Sequence, residues 1–132
     1  ATLAGHITVD DWAIFGGLAA VSQFSRIGAH VMICGGALIN KDIPPFVKTG
    51  TGYPVCYAGV NSIGLTRRGF LRERINAIQD VYRVIYSGGM NVTQSVQHIR
   101  ENLPVSEDRD FILNFIENSK IGIMKNAVGN ED

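Results

Sequence analysis

One periodicity constrains this chain more than any other feature. Leu3, Val9, Phe15, Val21, Ile27, Ile33 and Ile39 recur every six residues. Two places before each stands a small or aliphatic residue: Ala1, Ile7, Ala13, Ala19, Ser25, Val31 and Ala37. One place after, most residues are small or turn-prone: Ala4, Asp10, Gly16, Ser22, Gly28, Cys34 and Asn40. A helix places its faces near a period of about 3.6 and a strand near two, so neither produces this ladder. Hexapeptide periodicity marks a parallel β-helix. Three hexads close one triangular turn, each supplying a short strand and a corner. The aliphatic residue points into the prism, its small partner fits beside it, and the next residue takes the corner. A chance alternation in an ordinary sheet would not hold seven hits in register beside a second ladder.

Residues 18 apart then stack. The interior ladders are Leu3–Val21–Ile39, Val9–Ile27 and Phe15–Ile33. Several outward positions are apolar: Trp12, Ile14, Leu18, Phe24 and Met32. Exposed apolar residues grouped on one face mark an interface. A homo-oligomer is expected, and three-sided prisms pack naturally about a threefold axis. Cover by later segments of the same chain could hide one face only. The ladder runs at full strength from Ala1, although repeat proteins normally cap their ends. The expectation is therefore the C-terminal part of a longer protein, or a complete one whose end is covered by oligomerisation.

Asp42-Ile43-Pro44-Pro45 is expected to end the repeat, since proline cannot donate to a ladder. Residues 46 to 66 carry Gly50, Gly52, Pro54, Gly59 and Gly64 and read as a linker too broken for a regular helix. Tyr53, Tyr57 and Val60 are placed to clamp it along the prism. Charge density changes next: residues 1–65 carry six Asp, Glu, Lys or Arg and residues 66–132 carry eighteen. Leu71, Ile75, Ile78, Tyr82 and Ile85 form a helical stripe, with Gly88-Gly89 as its stop. Asn91 with Gln94 reads as a capping box ahead of Val96, Ile99 and Leu103. Pro104 breaks that helix. Ser106 with Glu107-Asp108 starts a third, with Phe111, Ile112, Phe115 and Ile116 as its buried side. The tail from Lys120 has little pattern. The expected organisation is a β-helix over 1–47, a linker over 48–66, and a helical domain over 67–132 with a flexible end.

The 12 basic and 12 acidic residues give no net charge, so bulk attraction to nucleic acid or an anionic membrane is not implied. No stretch approaches the roughly 20 apolar residues of a membrane span. Cys34 and Cys56 have neither metal nor disulfide-framework spacing, which fits a reduced, cytoplasmic protein.

Among residues able to carry chemistry, His6 stands just before a corner beside Gly5. There it can serve as acid, base or hydrogen-bond donor near neutral pH; an ordinary surface histidine fits the position equally well. His30 is expected to pack beside Trp12, 18 residues earlier. His98 lies on a polar helix face. Arg67-Arg68 is the best anion-binding feature, because adjacent guanidiniums ahead of a helix can hold a diphosphate bidentately, with Gly64 and Gly69 freeing the backbone. Two adjacent arginines are more commonly a solvated pair. Ser22 has no His and acid partners for a nucleophile. Gln23 can hydrogen-bond a sugar amide or hydroxyl.

The blocks Thr2-Leu3-Ala4-Gly5-His6, Gly16-Gly17-Leu18, Ala20-Val21-Ser22-Gln23-Phe24 and Ile27-Gly28-Ala29-His30-Val31-Met32 are followed by Asp42-Ile43-Pro44-Pro45-Phe46-Val47. Then come Gly59-Val60-Asn61 and Gly64-Leu65-Thr66-Arg67-Arg68-Gly69-Phe70. Together they resemble the C-terminal half of the UDP-N-acetylglucosamine O-acyltransferases of lipid A synthesis. The resemblance implies a left-handed parallel β-helix of about two coils followed by a C-terminal α-helical domain. It implies transfer of a 3-hydroxyacyl group from acyl carrier protein to the 3-hydroxyl of UDP-N-acetylglucosamine, in a homotrimer whose sites lie between subunits. No cofactor or metal is implied. Gly5 would supply an oxyanion-hole N–H, and His6 would line the acceptor site. Gln23 would contact substrate, and Gly35 would lie where acyl length is measured. Asn61, Arg67 and Arg68 would bind phosphate groups of donor or nucleotide. The family's general base is a histidine upstream of the one matching His6, so it matches no residue here.

Three positions depart from the family pattern. Ser22 stands where many members have His, Ile63 where many have an acidic residue, and Leu71 where many have a capping Ser. Two function classes follow: part of an acyltransferase, inactive as these residues alone, or a non-catalytic trimeric module that binds acyl carrier protein or a sugar nucleotide.

Overall fold

In the computed structural model the described residues are 2–3, 8–16, 20–21, 25–50 and 55–126. The hexads form strands β1 (Thr2–Leu3), β2 (Thr8–Val9), β3 (Ile14–Phe15), β4 (Ala20–Val21), β5 (Arg26–Ile27), β6 (Met32–Ile33) and β7 (Leu38–Ile39). They pair in parallel with an 18-residue offset: Leu3 with Val21, Val9 with Ile27, Phe15 with Ile33, and Val21 with Ile39. This is the pairing of a parallel β-helix. Ile27, Val31, Ile33, Ala37 and Ile39 are at most 1% exposed. Each buried large aliphatic side chain contributes on the order of 1.5–3 kcal/mol, which holds two-residue strands that have almost no ladder of their own. Val9 departs from the expected interior and is 40% exposed. Among the described residues β2 pairs with β5 alone.

The double proline does not end the prism. Ile43 bridges Ile27, and β8 (Val47–Thr49) pairs in parallel with β6 through Met32 and Lys48. The offset here is 16, so this coil is two residues shorter than the others. Its backbone rests directly on the coil before it: a Cβ on Gly28 would lie 2.5 Å from the Pro45 nitrogen. Pro44 and Pro45 supply no N–H, but Phe46 N–H still donates to the Ala29 carbonyl at 2.8 Å. The ladder therefore steps over the prolines.

The expected linker is also structured. β9 (Tyr57–Val60) pairs antiparallel with β8, and α1 (Ser62–Arg67) follows it. The many glycines obscured a helix of only six residues. Tyr57 and Val60 do lie against the prism strand β8, whereas Tyr53 falls outside the described residues. Then come α2 (Arg72–Ser87), α3 (Val92–Asn102) and α4 (Glu107–Glu117), so the described residues hold one helix more than the periodicity indicates.

α2 buries Ile75, Ile78, Val81, Tyr82 and Ile85. Leu71, expected on that stripe, is the N-cap and is 74% exposed. The capping box of α3 is present: Asn91 Oδ1 accepts from Gln94 N–H at 2.8 Å, and Gln94 Oε1 accepts from Asn91 N–H at 3.1 Å. Ser106 caps α4. On α4, Leu113 is buried, whereas the expected Phe111 is 42% exposed and instead meets the Phe46 ring edge-on.

One hydrophobic cluster runs from the prism into the helices. Its joint is aromatic. Tyr82 is fully buried and donates to the Pro45 carbonyl at 2.5 Å, while Tyr86 donates to the Met124 carbonyl at 2.8 Å. The segment after α4, patternless in sequence, is stitched to the prism by Asp42. Its backbone exchanges bonds with Gly122 and Met124 at 2.9 Å. Its carboxylate accepts from Arg26 N–H and Ser119 Oγ–H, both at 2.7 Å.

Candidate functional site

α1 is short, so its ends determine what it presents. Asn61 is the N-cap: its Oδ1 accepts from Gly64 N–H at 3.3 Å, while its Nδ2 donates to the His30 carbonyl at 3.0 Å. The residue is 4% exposed. At the other end Phe70 N–H donates to Leu65 and Gly69 N–H to Thr66, at 3.0 and 3.1 Å. That is a Schellman closure, with Gly69 in the left-handed conformation at φ 90°. Gly69 is thus a helix stop, and the closure fixes the backbone of Arg68, the C-cap.

Asn61, Arg67 and Arg68 line one cavity of about 420 Å³ with Ile14, Met32, Lys48, Val60, Ser62, Ile63 and Gly64. Three of the sequence-derived site residues are therefore brought together. Gly35 is not among the lining residues. It lies at the corner after β6 against Gly16, where a Cβ would sit 2.3 Å from Gly35 N. Gly5, His6 and Gln23 lie outside the described residues, as do Ser22, Leu18 and Phe24.

Lys48 carries no local sequence signal of a site. It stacks on Met32, but only at the shortened 16-residue offset, which a six-residue count does not reach. Its stem runs over Gly59, with Lys48 Cε 3.6 Å from where a Cβ would be. The described ion pairs are Arg74–Asp108, Arg83–Asp80, Arg100–Glu117 and Arg109–Asp110. None uses Lys48, Arg67 or Arg68. Three cations thus face a cavity whose other wall is apolar, with Ile14, Met32 and Ile63 exposed by 46%, 42% and 67%. Such a wall lowers the local dielectric and strengthens attraction for an anion.

Behind Arg68 stands a column of aromatic corners. Trp12, His30 and Phe46 all adopt positive φ, at 64°, 59° and 73°. Each such non-glycine residue costs on the order of 1–3 kcal/mol and persists only where its surroundings hold it. Here the rings stack: Trp12 on His30 at 6.4 Å and His30 on Phe46 at 5.7 Å, with Phe70 edge-on to His30 at 5.1 Å. The pairing of His30 with Trp12 agrees with the 18-residue register. Arg68 Nη1 is 3.4 Å from His30 Nδ1, and its guanidinium lies 5.4 Å from the Trp12 ring centre.

Burial, then the Arg68 and Arg74 charges, hold the His30 pKa below its ordinary 6.5. An unfolded chain binds the proton at about that value, so it holds more protons than the folded chain in the window just beneath it. The contribution of neutral His30 to stability is complete above pH 6.5 and falls as pH drops through that window. An NMR titration of the His30 ring is expected to give a midpoint below 6.5; a midpoint above it would contradict the contact with Arg68.

The fold and cavity define a hexapeptide-repeat β-helix protein with an anion-ready site at the junction of prism and helices. The family model for domain 2 of UDP-N-acetylglucosamine O-acyltransferase matches residues 42–124. The acyl-[acyl-carrier-protein]–UDP-N-acetylglucosamine O-acyltransferase of Stenotrophomonas maltophilia (strain R551-3) is 44% identical over 124 residues, covering 94% of this chain and 47% of the relative. The one from Xylella fastidiosa (strain Temecula1) is 40% identical over 125 residues, covering 95% and 48%. Among solved structures, the UDP-N-acetylglucosamine acyltransferase of Bacteroides fragilis superposes with a TM-score of 0.86 at 41% identity, over 90% of this chain and 46% of that one. That of Francisella novicida gives 0.89 at 33%, over 96% and 46%. The chain belongs to the UDP-N-acetylglucosamine O-acyltransferase family. It spans about half the length of the curated relatives it matches.

Proposed function

We propose that this chain is the C-terminal part of an acyltransferase that moves a 3-hydroxyacyl group from acyl carrier protein to the 3-hydroxyl of UDP-N-acetylglucosamine. This is the first step of lipid A synthesis, and its setting is the cytoplasm. The chain contributes a left-handed β-helix whose last coil runs past Pro44-Pro45 into β8, and a helical unit that opens with α1 (Ser62–Arg67). In the reaction the sugar hydroxyl attacks the thioester carbonyl and gives its proton to the general base, the C–O bond forms, the C–S bond breaks, and the carrier's sulfur leaves as a thiol that takes up that proton. Gly5 as oxyanion donor, His6 and Gln23 at the acceptor, and Gly35 at the acyl end enter this reading through the family resemblance.

The observation that carries the reading is the convergence of Arg67, Arg68 and Lys48, none paired with a carboxylate among the described residues, on a cavity with an apolar wall. Both proposed substrates bring phosphate to it: a sugar nucleotide diphosphate, and the phosphopantetheine arm with its aliphatic cargo. Asn61 sets the helix end on which the arginines stand. The exposed Trp12, Ile14, Met32 and Leu38 are the proposed homotrimer contacts.

Calorimetry with UDP-N-acetylglucosamine and with acyl carrier protein tests the reading. Binding of the nucleotide is expected, and no binding of it with retained carrier binding would favour a non-catalytic docking module. Assayed as these 132 residues, the chain is expected to bind without turnover, because the proposed general base matches none of them. Turnover at the level of a complete family enzyme would refute that assignment. Sedimentation is expected to give three copies; a monomer would remove the trimer.

A further inference from the structure

We propose that His30 is a positioning residue for Arg68: its unprotonated Nδ1 accepts a hydrogen bond from the guanidinium and aims it into the cavity. This rests on the reading of Arg68 as a phosphate contact.

The backbone of Arg68 is fixed by the Schellman closure of α1, but a long side chain still has to be oriented. Among the described residues no carboxylate does this. The polar group that meets it is His30 Nδ1, at 3.4 Å from Nη1. The distinction matters chemically. A carboxylate would orient the guanidinium but cancel its charge, as Asp108 does for Arg74 with bonds of 2.7 and 2.9 Å. A neutral imidazole uses one of the five N–H donors and leaves the full positive charge for a ligand. The Trp12 face supports the same guanidinium at 5.4 Å.

His30 is itself held for this task. It is clamped between Trp12 and Phe46, met edge-on by Phe70, and its carbonyl accepts from Asn61 Nδ2 at 3.0 Å. Asn61 is also the cap of the helix that carries Arg68, so one residue fixes both partners. The charged groups around the ring are Arg68, Arg74, Asp108 and Asp11. Burial is the first cause that disfavours the imidazolium and Arg68 the second; Arg74 acts in the same direction, while Asp108, its ion-pair partner, and Asp11 act against them. A protonated ring has no acceptor at Nδ1 and releases the arginine.

The test is calorimetry with UDP-N-acetylglucosamine, whose diphosphate diester does not titrate near pH 6. Arg68→Ala is expected to weaken binding tenfold or more, about the loss of one charge-assisted contact. His30→Phe keeps the ring stack and deletes the acceptor, with an expected loss of roughly three- to tenfold from the coupling of neighbouring groups. The double variant is expected to bind no worse than Arg68→Ala alone, since His30 acts only through Arg68. The fall in affinity below neutral pH is expected in the native protein and not in His30→Phe. Unchanged binding in Arg68→Ala would overturn the underlying reading. A normal Arg68→Ala effect with native-like His30→Phe, or additive losses in the double variant, would overturn the His30 role alone. Nitrogen NMR of the native ring gives a check that needs no folded variant. The Nε2–H tautomer with bare Nδ1 is expected, and an Nδ1–H tautomer would overturn the proposal.

Discussion

Replacing Tyr82 by alanine is expected to destabilise the protein by about 3–5 kcal/mol, the range for deleting a buried aromatic side chain. The Tyr82 side chain joins the prism to the helices. Tyr82 is fully buried, stacks with Tyr57 and Tyr86 at ring separations of 5.9 and 6.1 Å, and donates to Pro45. Tyr82→Phe keeps the stack and leaves the Pro45 carbonyl without its donor, so about 1–3 kcal/mol is expected. Urea unfolding of the three proteins separates the contributions. Equal losses in the two variants would mean that the hydroxyl, not the packing, holds the joint.

The same cluster sets an alkaline limit. Burial pushes the Tyr57 phenol up to about 12 and also raises Tyr82 and Tyr86. The unfolded chain loses these protons near the ordinary value of 10. Their contribution to stability is therefore complete below pH 10 and declines as pH climbs through the folded values.

The second large effect is on binding. Arg67→Ala with Arg68→Ala together are expected to weaken UDP-N-acetylglucosamine by about a hundredfold or more. Each charge-assisted contact contributes roughly 1.5–3 kcal/mol, and each 1.4 kcal/mol is about tenfold. Lys48→Ala is expected to fall between the native protein and the pair, because a flexible ammonium is a less directional anchor than a guanidinium. The thermal midpoint should move little, since among the described residues none of the three pairs with a carboxylate. Native affinity in the double variant would exclude this cavity as the phosphate site.

Much of this was legible in the residues, where local rules govern. The 18-residue stacking of Val9 on Ile27 and Phe15 on Ile33 follows from counting. So does the meeting of Trp12 with His30. The capping box at Asn91 and the cap at Ser106 are written in four-residue windows. α1 has the same kind of signature, Asn61 and Gly69 bracketing the six-residue helix and its C-cap Arg68, but the surrounding glycines mask it. By sequence Asn61 suggests a ligand contact and Gly69 backbone freedom, yet their immediate work is to start and stop that helix.

What the residues alone determined is a six-residue ladder, the helical stripes and an adjacent pair of arginines. Each comes from periodicity or adjacency, which a chain carries before it folds. Only the tertiary structure decided that the coil continues past Pro44-Pro45 at two residues less, because that depends on one backbone resting on another at Gly28. The same contraction brings Lys48 onto Met32 and beside Arg67 and Arg68, and sets Phe46 on His30. The ladder names the scaffold; the step of two residues in it assembles the site.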